Sequence, residues 1–256
     1  MGSAAVRFRV VNHETSGFGI DIGGTGMKAA IVDLDTGELQ SDRYRIDTPL
    51  PARPDAMAEV LCELIRHHRW TGTVGCAFPA IVRDGVVGSA ANIDKSWIDV
   101  DADALFTKVS GLEVHMINDA DAAGVAEMRF GAGRDRSGVV MVLTFGTGIG
   151  SGLFTEGVLV PNTELGHLEL DGVDAESRAA ASARKREELG WGKWAGRVEH
   201  YLRHVEALFS PSLIIVGGGV SKRPDRWLPK IDIDTEIVPA EMANNAGIVG
   251  AALIAP

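Results

Sequence analysis

Phe18-Gly19-Ile20-Asp21-Ile22-Gly23-Gly24-Thr25-Gly26-Met27-Lys28-Ala29-Ala30-Ile31-Val32-Asp33 decides the fold. Residues 24–29 match the dinucleotide-binding pattern G-x-G-x-x-A, which requires a helix directly after the glycines. Here β-branched residues follow, and Asp35-Thr36-Gly37 signals a turn too soon for a helix. The stretch is therefore expected to be a strand over 18–22, a tight turn at Gly23-Gly24-Thr25-Gly26 and a second strand over 27–33. That is a β-hairpin with a glycine-rich tip.

The motif recurs half a chain later. Residues 138–145 form an apolar run, followed by Gly146-Thr147-Gly148-Ile149-Gly150-Ser151-Gly152. This segment is read as a second glycine turn, with the strand resuming at Leu153 and Phe154 and turning again at Glu156-Gly157. Two copies of strand, Gly-Thr-Gly turn and strand indicate a duplicated α/β unit led by a hairpin. The expected architecture is α/β with two lobes facing each other and one glycine turn from each at the cleft. We place the lobes at 17–118 and 119–243, with the C-terminal helix 244–254 completing the first and a frayed tail at 1–16.

Between the copies lies Val114-His115-Met116-Ile117-Asn118-Asp119-Ala120-Asp121-Ala122-Ala123. It reads as a short buried strand running into a helix that continues through Phe130. Ligands of open α/β sheets sit outside the carboxyl ends of their strands. A carboxylate there, beside an amide, can position a hydroxyl and accept its proton. The plainer alternative is that Asp119 caps the helix. Elsewhere, apolar spacing predicts helices over 54–68, 174–189 and 194–209 and strands over 74–78, 213–216 and 235–238. Residues 81–87 read as a hairpin turned at Asp84-Gly85, 90–97 as loop, and 162–169 as polar loop with a short strand.

The chain has 256 residues, 45% of them hydrophobic, and a formal net charge of −10. Such a field repels nucleic acid and anionic membrane, so neither is expected as a partner. Cys62 and Cys76 lie in no metal-ligand spacing, and so few thiols suit a reducing compartment. The first 17 residues hold no apolar run of signal-peptide length, and no segment is long and apolar enough to span a bilayer. A cytoplasmic protein is expected.

Glycine lets successive backbone N–H groups approach an anion, so the two turns are candidate phosphate cradles. Thr25 and Thr147 add hydroxyl donors. The alternative is that glycine merely supplies turn geometry. Gly217-Gly218-Gly219, after a buried strand, is a third candidate, for a nucleotide or a further phosphate. Asp21, next to the first turn, suits Mg²⁺ held directly or through water, or is an ordinary turn residue. Lys28 either neutralises phosphate or faces solvent. Glu164, His167 and Glu169 crowd one loop and can hydrogen-bond a polyhydroxylated ligand. Arg178, Arg184, Lys185, Arg186 and Lys193 form a basic cluster, either a solvated face or a track for a polyanion.

Taken together these motifs resemble the ROK family of sugar kinases and repressors, within the actin-like, sugar-kinase (ribonuclease H-like) fold. Residues 21–28 resemble its first phosphate motif and 143–152 its second. Asn118-Asp119-Ala120 matches its sugar and catalytic-base motif. Glu164-Leu165-Gly166-His167 matches its sugar-binding Glu-x-Gly-His, and residues 216–221 its adenosine-side motif. The resemblance implies Asp119 as general base and Asn92, Asn118, Asp119, Glu164 and His167 at the sugar. It also implies Gly23, Gly24, Thr25, Gly26, Lys28, Thr147 and Gly148 at phosphate, Gly217 to Gly219 at nucleotide or distal phosphate, and Mg²⁺ as cofactor. No DNA-binding segment of the repressor type is expected. Leu168 to Ala181 lacks the cysteines of the family's zinc site, so no zinc is expected. The runs 91–97 and 159–164 resemble the family's polyphosphate-using glucokinases. That branch implies glucose as acceptor, inorganic polyphosphate with ATP as donors, and a homodimer. An ATP-only hexokinase for another sugar, or a sugar-binding protein without catalysis, are the other expectations the motifs allow.

Overall fold

The computed structural model describes residues 15–91 and 93–255. Residues 1–14, most of the tail read above, and Asn92 lie outside the described residues. The first lobe opens with β1 (Ser16–Ile22) and β2 (Met27–Asp33), then β3 (Tyr44–Ile46), α1 (Pro54–His68) and β4 (Val74–Phe78). A small hairpin, β5 (Val82–Arg83) and β6 (Val86–Val87), precedes α2 (Ala102–Ser110), β7 (Val114–Asn118) and α3 (Asp119–Phe130). The second half runs β8 (Val139–Phe145), β9 (Ile149–Thr155), β10 (Val158–Val160), β11 (Glu169–Leu170) and β12 (Val173–Asp174). It ends with α4 (Ala175–Ala179), α5 (Ala181–Arg186), α6 (Trp191–Phe209), β13 (Leu213–Gly218), β14 (Ile237–Pro239) and α7 (Ala246–Leu253).

The duplication is visible in the sheets. One has the order β3-β2-β1-β4-β7, the other β10-β9-β8-β13-β14. In both, an antiparallel hairpin leads and two parallel strands follow. The leading strands are buried on both faces, which is why they read as near-continuous apolar runs rather than alternating ones. As the β-branched run after the first glycines requires, β2 is a strand, and the dinucleotide reading falls.

Helices α1 and α2 cover the outer face of the first sheet through Met57, Leu61, Leu64 and Phe106. Helices α4 to α6 cover the outer face of the second through Ala179, Trp194, Val198 and Tyr201. Between the sheets lie α3 and α7. Ile248 and Ala252 of α7 pack on Ala30 and Val32 of β2, and its Ala251 meets Ala77 of β4 and Ala122 of α3. Val125 and Met128 of α3 face Val140, Val142 and Phe154 of the second sheet.

Four expectations are corrected. The second glycine turn spans only Gly146 to Gly148, and β9 resumes at Ile149. Gly150 and Gly152 serve packing, not turning: a Cβ on Gly150 would lie 2.8 Å from Cβ of Ala120, and one on Gly152 3.2 Å from its carbonyl oxygen. The expected single helix over 174–189 is two short ones, broken at Ala180. The helix expected from residue 194 begins at Trp191. The last strand starts at Ile237, because Thr235 donates from both N and Oγ1 to Glu206 Oε1, at 2.5 and 2.6 Å, and leaves the sheet.

Candidate active site

The carboxyl ends of β7, β8 and β13 and the tips of both leading hairpins open on one cleft of about 560 Å³. This is where open α/β sheets place ligands. At its floor, Asn118 and Asp119 divide the two jobs that sequence left open between them. Asn118 is the cap: its Oδ1 accepts from the amides of Ala120 (2.9 Å) and Asp121 (3.1 Å), and its Nδ2 donates to the Ala80 carbonyl at 3.1 Å. The side chain is nearly buried and keeps one N–H for a ligand. Asp119 is the first helical residue and is free of the capping role.

Asp119 is reached by solvent through the cleft, yet it lies at the bottom among so many protein atoms that its carboxylate is poorly hydrated. That desolvation, reinforced by the negative charges of Asp21, Glu164 and Asp121, pushes its pKa up to about 7. A base poised near neutrality is what proton transfer at neutral pH needs. Asp121, two residues further along the helix, is raised to about 6, mainly by burial. Its Oδ2 accepts from the Asn162 amide at 2.7 Å, while Asn162 brackets Val82 with both side-chain atoms. Asp121 thus ties the loop carrying Glu164 to the helix carrying Asp119.

Glu164 and His167 line the cleft, but Glu169 does not: it lies on β11, paired with Asp174 across a small hairpin. The loop before Glu164 is fixed by Ser151, which donates to the Thr163 carbonyl (2.7 Å) and accepts from the Leu165 amide (3.0 Å). Burial raises the Glu164 pKa. His167 Nδ1 is paired with Asp174 Oδ2 at 2.7 Å, which raises the histidine's pKa and leaves Nε2 for a ligand. Glu176 also lines this wall and accepts from the Ile149 amide at 2.9 Å. Neither Asp174 nor Glu176 was among the candidates, because within a charged helical pattern nothing local separates them from surface acids. His167, Asp174 and Glu176 form a group of metal-ligating type, with ligand atoms within 4.8 Å. The three are already joined to partners by hydrogen bonds, which accounts for their proximity without an ion.

None of the tip glycines Gly23, Gly24, Gly26, Gly146 and Gly148 adopts positive φ. Turn geometry therefore does not explain them. The tips are tied down from behind through their carbonyls: Thr48 Oγ1 donates to Gly23 O, Arg45 Nη2 to Thr25 O, and Ser182 Oγ to Thr147 O. The amides of Gly24, Thr25, Thr147 and Gly148 have no acceptor among the described residues and line the cleft. Gly26 is buried beneath Arg45 and does not reach it. Lys28 is not a free cation: it pairs with Asp21 at 3.1 Å in a smaller adjoining cavity that also includes Asp119 and Gly217. Gly218 borders that cavity and the cleft, and Gly219 borders the groove beyond.

The donor set fits a hard dication. Asp21 and Asp119 share the small cavity, and their mutual repulsion helps to hold Asp119 protonated. Oxygen ligands with excess negative charge suit an ion of the Mg²⁺ type, although one oxygen of Asp21 is shared with Lys28.

A duplicated hairpin-led α/β unit, closing on a cleft with a poised carboxylate and two amide-lined tips, defines a sugar-kinase-type fold. The chain belongs to the ROK family, whose model matches residues 17–184. It is 49% identical over 238 residues to the polyphosphate glucokinase of Mycobacterium tuberculosis H37Rv, covering 93% of this chain and 90% of that one. Among solved structures, the inorganic polyphosphate/ATP-glucomannokinase from Arthrobacter sp. strain KM matches with a TM-score of 0.90 at 51% identity, over 94% of this chain and 98% of that chain. A ROK family glucokinase from Streptomyces griseus in complex with glucose and AMPPNP matches with a TM-score of 0.79 at 25% identity, over 94% and 99%.

Proposed function

We propose that this protein is a glucokinase that transfers a phosphoryl group from inorganic polyphosphate, and from ATP, to the 6-hydroxyl of glucose. The observation that carries the reading is the meeting, in one cleft, of a carboxylate poised near neutrality with two hairpin tips presenting free amides. The names of the mycobacterial and Arthrobacter relatives support the donor and the acceptor.

In this reading Glu164, His167 and the remaining N–H of Asn118 hold glucose hydroxyls. Asn92 belongs to the same set. Asp119 orients the 6-hydroxyl and takes its proton as the new O–P bond forms. The bond between the transferred phosphorus and the bridging oxygen of the donor breaks, and the donor leaves one phosphate shorter. The amides of the two tips and Thr25 and Thr147 hold the phosphoryl oxygens, since positioning and charge neutralisation are most of what phosphoryl transfer asks of a protein. Mg²⁺, with Asp21 as its protein ligand, would neutralise negative charge on the phosphate oxygens. We take 17–118 with 244–254, and 119–243, as the lobes that close over the sugar and exclude water. A cytoplasmic homodimer belongs to the same proposal, and gel filtration with light scattering tests the dimer.

The test is glucose 6-phosphate formation measured with polyphosphate and ATP side by side, with Mg²⁺, using glucose and mannose as acceptors. Turnover with ATP alone would leave the ATP-only hexokinase. Sugar binding without any transfer would leave a non-catalytic binding protein.

Two further outcomes follow. Asp119 is raised to about 7 in the free protein, so its basic form is lost as pH falls through 7. At subsaturating glucose and donor, kcat/KM should therefore fall about tenfold per unit below pH 7 and level off above it. An acid limb near 4, the ordinary carboxylate range, would remove Asp119 from the role of base. Asp174→Asn should lower the His167 pKa, followed by NMR titration, and raise the KM for glucose severalfold. An unchanged histidine titration would show that Asp174 does not hold the ring.

A further inference from the structure

The cleft changes sign along its length. Its sugar side carries Glu164 and Glu176, and its floor Asp119. Past Gly146 and Thr147 it continues into a groove of about 590 Å³ with no carboxylate among its lining residues. Instead, Arg184 and Lys185 of α5 and Lys222 and Arg223, in the turn after β13, converge there. Among the described residues none of these four forms an ion pair, whereas Arg186, Arg197 and Arg203 all do. An exposed cation is usually worth little by itself. Four left uncompensated along one groove, in a chain of net charge −10, make a local positive field that favours an extended anion.

The groove is also built in advance. The Arg184 guanidinium sits 4.0 Å from the centroid of the Trp191 ring, and its Nη1 donates to the Leu189 carbonyl at 3.2 Å. Stacking on the indole and this hydrogen bond hold the charge at the groove wall. The same stacking covers a face of Trp191, and Phe145 is fully buried. The groove therefore offers charge rather than the flat apolar slot that suits a purine.

We propose that this groove is the track for the distal phosphates of the polyphosphate donor, leading outward from the Thr147 turn between α5 and the Lys222–Arg223 turn. The proposal rests on the donor reading above. It assigns a role to part of the basic cluster: Arg184 and Lys185 line the track, whereas Arg178 and Lys193 lie on a separate cavity against α6.

The consequence is a chain-length effect, since a donor long enough to fill the groove makes contacts that tripolyphosphate cannot. The experiment compares KM for long-chain polyphosphate, tripolyphosphate and ATP in the unmodified protein and in Lys222→Ala/Arg223→Ala and Lys185→Ala variants. Lys222→Arg and Arg223→Lys serve as charge-conserving controls. The double neutralisation should raise the KM for long chains on the order of tenfold, because two charge contacts of ordinary strength are lost. It should shrink the ratio of tripolyphosphate KM to long-chain KM and flatten the dependence of long-chain KM on salt. The charge-conserving variants should retain the ratio. An unchanged ratio in both neutralised variants would overturn the track, and so would an equal loss with ATP and with every chain length. If the unmodified protein turns over no polyphosphate of any length, the donor reading itself fails.

Discussion

Asp119→Asn is expected to lower kcat by about 10² to 10⁴, the usual contribution of a positioned general base, while the dissociation constant for glucose stays within a few-fold. The carboxamide matches the carboxylate in shape and can still accept a hydrogen bond from the sugar hydroxyl, but it cannot take the proton. Kinetics and calorimetric glucose binding, measured on the same preparation, separate the two effects. The variant also carries its own folding control. In the fold the carboxyl pKa stands near 7, above its ordinary value of 3.8, so the native state binds the proton more tightly than the unfolded chain does. The contribution of this group to stability is therefore present below about pH 4 and is lost as pH rises to 7 and beyond. Asparagine carries no such penalty, so at pH 8 the variant should melt no lower than the parent. Full activity in this variant would sink the assignment of the base. The neighbouring Asn118→Ala should behave differently: it removes the helix cap at a cost of about 0.5–2 kcal/mol and lowers the melting temperature as well as weakening glucose binding.

This division of labour between Asn118 and Asp119 shows where sequence reading stops. The junction of strand and helix is local, set by an apolar run followed by a polar pair, and was legible. Which member of the pair caps the helix depends on the backbone entering the turn and on the Ala80 carbonyl that receives Asn118 Nδ2, 38 residues away. The hairpins were legible for the same reason of locality, since β-branched residues after a glycine turn favour a strand whatever the tertiary context. The break at Ala180 was not. No Gly or Pro marks it; it accompanies the Trp194 Nε1 bonds to the carbonyls of Ala179 and Ala180, at 2.9 and 3.3 Å. The site divides along the same line. Candidates carried by short motifs, such as Glu164, His167 and the tip glycines other than Gly26, do line the cleft. Asp121 and Glu176 take their places through contacts to distant backbone, and Asp174 through the His167 ring, so none of the three could be singled out. Glu127 is of the same kind: this buried acid of α3 accepts from the amides of Ala132, Glu241 and Met242.

The largest effect on stability is expected from Gly250→Ala, a change of one methyl group far from any reacting atom. Helix α7 is gripped on two sides. Its Gly250 faces α3 so closely that a Cβ would overlap the Ala122 carbonyl oxygen. On the opposite side its own carbonyls, those of Ile248 and Ala251, fill the space where Gly19 of β1 and Gly75 of β4 lack side chains. The helix cannot back away from α3 without driving those carbonyls into the sheet, and Ala122, Ile248 and Ala251 are all fully buried. Relaxation is therefore blocked, and the cost should reach the upper end of that for overpacked cores, roughly 3 kcal/mol or more. In a chain of this size that is a fall in melting temperature of about 10 °C. Gly196→Ala is the contrasting case. Gly196 sits on the exposed side of α6, where an added Cβ would meet nothing within 4 Å. Its replacement should raise stability by up to about 1 kcal/mol through helix propensity and the reduced freedom of the unfolded chain. Thermal melts of the two variants should move in opposite directions, and a Gly250→Ala protein that melts with the parent would show that α7 has room the packing denies it. Because α3 and α7 separate the two sheets that carry the glycine tips, whatever folded Gly250→Ala protein remains should hold those tips at an altered spacing. Its kcat per folded molecule should fall along with its stability.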